Sequence, residues 1–389
     1  MTDQSINLNA NLGATFIRKD FAPAMAAPVN TTGAVAWLKA NMFSDVFSSV
    51  LTILAILLLV WIVPDLVRYL FTDAVWTAKD GVPCRVPDTG ACWGFVRENW
   101  SYFMYTSYPL DQRWRIDVAL IMEAVLVLWL LWPFAPYRGF ASILFFVIYP
   151  FVAFWLIKGA PWLGLPNVDT SLWGGMFVSI MVATIGIVFS LPAGILLALG
   201  RRSDLPLVKF FSVVFIEFVR GVPFITVLFM ANTMLPLFVP EYLTPDRLAR
   251  PLIATALFAS AYMAEIVRGG LQAMPKGQYE GAMALGIPYW KMMGLVVMPQ
   301  ALTIVIPGIV NTFIGLFKDT TLVAVVGTFD FLKAIETRRL DAAWAGPTIS
   351  TTGYVFAALF YFAFCFGMAR YSLYMERKLN AGKRNPRRS

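Results

Sequence analysis

The chain has 389 residues, of which 59% are hydrophobic, 15% aromatic and only 14% charged, and its mean hydropathy is +0.68. A soluble domain carries about 25% charged residues, so one globular core cannot hide this much apolar surface and the bilayer is the expected solvent. The same figures exclude disorder, a collagen-like chain and a disulfide-stapled secreted fold. The formal net charge of +8 would suggest nucleic acid in a soluble protein, but no aromatic-interleaved basic face occurs. Much of the excess sits in the tail residues Arg377, Lys378, Lys383, Arg384, Arg387 and Arg388, as in a cytoplasmic segment that follows a membrane span.

In chain order, residues 1–45 hold Asp3, Arg18, Lys19, Asp20 and Lys39 without a compact apolar run near the start, unlike a signal peptide. They read as a cytoplasmic segment. A bilayer core takes about 20 apolar residues of helix, and eight runs qualify as candidates: Val46–Pro64, Val118–Tyr137, Gly139–Ile157, Thr170–Gly200, Phe210–Pro240, Pro251–Ala264, Met292–Phe317 and Ala342–Ala369. The expected fold is therefore an all-α integral membrane protein of about eight spans. Gly159, Pro161, Gly164 and Pro166 punctuate the chain near residue 165, dividing a region 46–165 of three spans from a region 166–376 of five, with the basic tail 377–389 after it. No internal repeat is visible.

Orientation follows from Lys and Arg in the short loops. Arg201, Arg202 and Lys209 follow span four, Arg268, Lys276 and Lys291 follow span six, and the tail is basic. If spans alternate, these segments share the cytoplasmic side, both termini are inside, and the loop 72–113 is outside. That loop carries Cys84 and Cys92, which read either as a disulfide, if they face an oxidising compartment, or as two free thiols. Cys365 reads as a small hydrophobe. Thr320–Phe329 is apolar but too short to span, as a re-entrant or surface helix would be.

There is no histidine, which removes Ser-His and Cys-His catalysis and the commonest metal ligand; no catalytic or metal site is expected. Glu217 and Arg220 stand three apart near the inner end of span five, and Glu265 and Arg268 repeat that spacing in span six. They read as a gate or as ion pairs locking the helix ends, since charge at this depth needs a partner. Glu123 lies deeper, where a structural hydrogen bond is expected. Met230, Asn232, Thr233 and Met234 line a cavity or pack in the core. No substrate pocket can be named.

The loop after span six, residues 275–290, is the most patterned stretch. Glu280 is expected in the first turn of a short helix, facing its positive dipole end. Gly281, Ala282 and Ala284 give that helix a small-residue surface, Gly286 suits a left-handed helix end, and Pro299 is expected to bend or unwind span seven. Physically this is a surface helix, resting on headgroups or seated in a cytosolic partner.

The loop resembles the Glu-Ala-Ala loop of ABC importer permeases. Glu280-Gly281-Ala282, Gly286 and Val296-Val297-Met298-Pro299 stand at the corresponding places, with Gly281 replacing the first alanine. Glu217–Pro223, Ala264–Gly270, Gly277–Glu280 and Phe317–Leu322 look like polar-amino-acid permeases over roughly residues 170–375. The long first region resembles the larger subunits of general L-amino-acid ABC importers of proteobacteria. The resemblance implies a bacterial inner-membrane permease subunit with a five-helix core, coupled to a separate ATPase dimer through Tyr279, Glu280, Gly281, Ala282, Gly286 and Pro299. It also implies a second, homologous permease and a periplasmic amino-acid-binding protein. No G-x-x-x-x-G-K-[ST] occurs, so ATP and Mg are expected on the partner and no cofactor on this chain. The alternatives are an ion- or proton-coupled secondary carrier, which would need an ionisable group at the midplane of the second region, and a membrane enzyme acting on lipids, which would need a polar catalytic cluster.

Overall fold

A computed structural model describes residues 33–132 and 134–381. Of the expected cytoplasmic segment 1–45 and the expected basic tail 377–389, residues 1–32 and 382–389, with Lys383, Arg384, Arg387 and Arg388, lie outside the described residues. The described residues form two compact units, one ending at Arg68 and one beginning at Tyr69. The first unit contains α1 (Ala34–Asn41) and α2 (Val46–Val67). Asp45 caps α2 by accepting the Ser48 N–H at 2.8 Å, which satisfies one of the free donors of the first turn.

The second unit begins with a small lobe containing α3 (Trp93–Glu98) and α4 (Trp100–Tyr105). Cys84 and Cys92 are joined there as a disulfide. The Cys84 carbonyl accepts from Thr348 Oγ1 at 2.8 Å, and the Cys92 N–H donates to Thr352 Oγ1 at 2.8 Å. Then come α5 (Trp114–Leu131), α6 (Arg138–Lys158), α7 (Met176–Arg201), α8 (Pro206–Gly221), α9 (Phe224–Phe238), α10 (Ala249–Gln272), α11 (Lys276–Ala284), α12 (Tyr289–Val326), α13 (Phe331–Arg339) and α14 (Pro347–Ala381). Two residues on each side, Gly174–Gly175 (β1) and Phe329–Asp330 (β2), pair in parallel. Gly175 has φ +88° and a Cβ there would stand 2.4 Å from the Phe103 carbonyl, so the close approach of α4 to this pair requires glycine.

Among the described residues, six helices are long and apolar enough to cross a membrane, or seven if α8 and α9 count as one broken span. Of the eight expected spans, the second is not among these helices, so the count of eight is not confirmed. The helix of that second span, α5, carries Arg115, Asp117 and Glu123 and ends at Leu131, because Trp132, which precedes Pro133, is extended at ψ 118°. The fifth expected span is not one rod. Val222, ahead of Pro223, is extended at φ −110°, ψ 136°, and α8 and α9 meet at 108°. The segment Thr320–Phe329 is no separate surface helix; residues Thr320–Val326 continue α12 as a 3-10 turn that stops at Gly327.

Three helices share one device. Leu144–Ile148, Met230–Met234 and Met293–Val297 are π turns, and each is followed two residues later by a proline, Pro150, Pro236 and Pro299. A proline lacks the N–H of the helical ladder and its ring collides with the carbonyl four residues back. In each case that carbonyl lies inside the widened turn, which absorbs the clash without breaking the rod.

The punctuation near residue 165 is not a packing boundary. Ile116, Ala119 and Ile157 from α5 and α6 share one core with Phe177, Val178 and Val182 of α7 and with Leu228 of α9. Glu123 fastens the same seam: Tyr149 donates to one of its oxygens at 3.0 Å and the Thr184 hydroxyl donates to the other, the structural role expected of it.

Candidate functional site

The basic end of α7 organises the site. Two successive arginines there point to different tasks. Arg201 Nη1 lies 2.8 Å from Glu217 Oε1 of α8 and 3.4 Å from Glu265 Oε2 of α10. Arg220 reaches the same Glu265 oxygen at 3.7 Å, and Arg268 Nε donates to the other at 2.9 Å. Glu265 is thus the hub of three guanidinium groups, 22% exposed, whereas Glu217 at the rim is 54% exposed. The expected pairing of Glu265 with Arg268 forms within α10. Glu217 and Arg220 do not pair with each other, because Arg201 and Glu265 on neighbouring helices offer each a partner. The cluster is a lock across three helices, and Arg201, read from sequence only as an orientation charge, is its missing member.

Arg202 serves α11. Its Nη1 donates to the Tyr279 hydroxyl at 3.2 Å and to the Leu271 carbonyl at 3.3 Å, while the Tyr279 hydroxyl donates to that carbonyl at 3.3 Å. Gln300 Nε2 of α12 donates to Gln278 Oε1 at 3.0 Å. Ala282 is buried with Met274, Met292 and Met293. The short helix is therefore stapled to α7, α10 and α12 together.

Its ends explain its bounds. Pro275 is extended at ψ 136° and α11 begins at Lys276. Glu280 consequently lies in the second turn, not the first as expected, and the dipole argument made for it does not hold, since that effect fades beyond the first turn. At the other end Gly286 has φ +68°, its N–H reaches the Met283 carbonyl at 2.9 Å, and the Ile287 N–H reaches the Ala282 carbonyl at 3.1 Å. That is a Schellman closure, with Ile287 packed in the same cluster as Ala282. Glu280 and Gly281 are exposed, and a Cβ at Gly281 would meet nothing. Met283, Leu285 and Trp290 are 58%, 79% and 71% exposed, a concentration of apolar surface around a polar helix that marks an interaction site.

An open cavity of about 350 Å³ lies between α9, α10 and α12, lined among others by Phe224, Phe258, Tyr262, Asn311, Thr312 and Asp319. The sequence signal was Asn311-Thr312 deep within the mainly apolar Met292–Phe317, polar groups that a membrane helix rarely carries without use. Asn232 does not line it; its Nδ2 donates to the Val326 carbonyl at 2.8 Å, and Met230 and Met234 face outward. Among the described residues no group of acidic, cysteine or histidine side chains could hold a metal.

A bundle of apolar helices, with a stapled small-residue helix at its basic end and a cavity that carries a few polar groups in a mainly apolar wall, has the parts of a solute permease worked from one side. Residues 190–381 match the family described as binding-protein-dependent transport system inner membrane component. Over 361 residues the chain is 48% identical to the inner membrane amino-acid ABC transporter permease protein YhdY of Escherichia coli K12, covering 93% of this chain and 97% of that one. It is 41% identical to the glutamate/glutamine/aspartate/asparagine transport system permease protein BztC of Rhodobacter capsulatus, covering 95% and 99%. A crystal structure of an amino acid ABC transporter aligns at 25% identity and a TM-score of 0.46, over 52% of this chain and 92% of that one. The chain belongs to the amino-acid ABC transporter permeases. It is a multi-pass membrane subunit and not itself catalytic. Nothing in these relatives supports an ion-coupled carrier.

Proposed function

We propose that this chain forms half of the translocation pathway of an ATP-driven importer of L-amino acids, and that α11 is the handle by which a separate ATPase dimer moves it. The basic end of the bundle then faces the cytoplasm, with both termini inside and the disulfide-bearing lobe outside. A second, homologous permease completes the pathway, and a periplasmic binding protein delivers the amino acid. ATP and Mg belong to the ATPase. The names of the relatives favour a broad L-amino-acid range that includes acidic and amide side chains. Asp319, the carboxylate in the cavity wall, is suited to the ammonium group that all these substrates share.

One observation carries the reading: α11 is fastened inward through Tyr279 and Gln278 to three helices, while its other side is bare. Force applied to that side is transmitted to α7, α10 and α12 as a rigid displacement, and two such bundles rocking against each other give alternating access. Reversing the charge of Glu280, exposed on the bare side, tests it. Glu280→Lys is expected to lose the ATPase in pull-down and about 90% of uptake, as a few kcal/mol lost at an interface hot spot would produce, with normal membrane insertion. Normal pull-down together with normal uptake would remove α11 from the coupling route.

A further inference from the structure

Two cavities meet at the seam between α5–α6 and α7–α10. The inner one, about 120 Å³, is walled by apolar side chains such as Leu120, Ala153, Phe154, Met181 and Leu252. An apolar cavity of about 150 Å³ stays dry and takes apolar guests. The ionisable group at its depth, Glu123, already has both oxygens engaged. The second cavity, also about 120 Å³, has a mixed polar and apolar wall and carries Asp169, Asp246 and Arg247. The two share Thr170, Trp173, Asp246 and Leu248 in their walls. Lys158 stands at the rim, its Nζ 5.3 Å from the centre of the Phe154 ring. The crevice is thus apolar at membrane depth and bears both signs of charge at its mouth, at the end of the bundle opposite α11.

Donor capacity remains at that mouth. The hydrogen bond of Arg247 within the chain is a long one, 3.4 Å to the Gly327 carbonyl, whereas a guanidinium has five N–H donors. Asp246 accepts from Thr170 and the Leu248 N–H, and a carboxylate offers about four lone-pair sites. The unused capacity matches a head carrying one anion and one cation, attached to an apolar tail.

We propose that this crevice holds one phospholipid of the leaflet opposite α11, with an amine-bearing zwitterionic headgroup. Its phosphate lies against Arg247 and Lys158, its ammonium against Asp169 and Asp246, and part of one acyl chain fills the apolar cavity. A free amino acid fits the mouth but leaves the apolar part empty. Such a lipid would weld the first helices of the second unit to the transport core.

The test uses the assembled complex in vesicles of mixed phosphatidylethanolamine and phosphatidylglycerol, with a phosphatidylethanolamine probe bearing a photoreactive group on its acyl chain. Labelling is expected to concentrate on cavity-facing peptides of α6 and α7. It should fall by about tenfold in Ala153→Trp, which fills the cavity, and excess unlabelled phosphatidylethanolamine should compete more effectively than phosphatidylglycerol. In Asp169→Ala/Asp246→Ala that headgroup preference should shrink by about tenfold, the loss of about 1.4 kcal/mol of charge-assisted bonding, with the folded wild-type competition as the control. Labelling spread evenly over all lipid-facing helices, equal competition by the two lipids, or displacement by an amino-acid mixture and not by lipid would each overturn the proposal.

Discussion

At the scale of single residues, the charges separate by exposure. Glu265 faces three arginines at 22% exposure, so Glu265→Gln leaves them repelling one another and is expected to destabilise the purified protein by about 2 kcal/mol. Glu217 is 54% exposed, and Glu217→Gln should cost less than about 1 kcal/mol. Thermal unfolding of both variants in the same detergent checks the ranking; equal effects would contradict the hub. Asp330 gives a pH signature. It caps α13, accepting the N–H groups of Leu332 at 3.2 Å and Lys333 at 2.9 Å, yet burial pushes its carboxyl up to about 7. The folded state keeps this proton where the unfolded chain, with an ordinary carboxyl, has lost it. Stability from this group is therefore full below about 4 and declines as pH rises to about 7. Asp330→Asn should flatten the dependence of the melting temperature over that window. Nothing in the sequence singled out Asp330; its full burial comes from tertiary packing, with β2 against α7 and the next N–H, that of Phe331, donating to Ser179 Oγ.

At the scale of elements, the prolines were legible and their consequences were only partly so. Pro299 was expected to disturb its helix, and it does so through a π turn that leaves the rod intact. Pro223 was read as part of a family-like segment and not as a break in its span, although an X-Pro step by itself favours the extended residue found at Val222. The helix α11 was visible from its small residues and Gly286, but its start was misplaced because Pro275 closes the preceding turn at once. The staples could not be read, since Arg202, Leu271 and Gln300 come from three other elements. They predict a separation of effects. Tyr279→Phe removes the hydroxyl that accepts from Arg202 and donates to Leu271, leaving the exposed side of α11 unchanged. ATPase binding should persist while uptake per ATP hydrolysed falls several-fold in proteoliposomes. Loss of ATPase binding in Tyr279→Phe would mean that Tyr279 belongs to the partner contact.

At the scale of the whole molecule, composition fixed the solvent and the apolar runs gave most of the spans. What they could not give is how the first helices of the second unit belong to the transport core. Glu123 looked like a lone charge until Tyr149 and Thr184 closed on it from two other helices, and three elements far apart in sequence build the cavity that ends at Asp319. The central claim is that force enters this chain at α11 from a motor on another polypeptide. A cysteine at Met283, cross-linked in the assembled complex, tests it most directly. The account predicts a covalent adduct with the ATPase subunit, lost when Glu280→Lys is added. No adduct with the ATPase, together with labelling of that cysteine by an impermeant maleimide from outside intact spheroplasts, would contradict it.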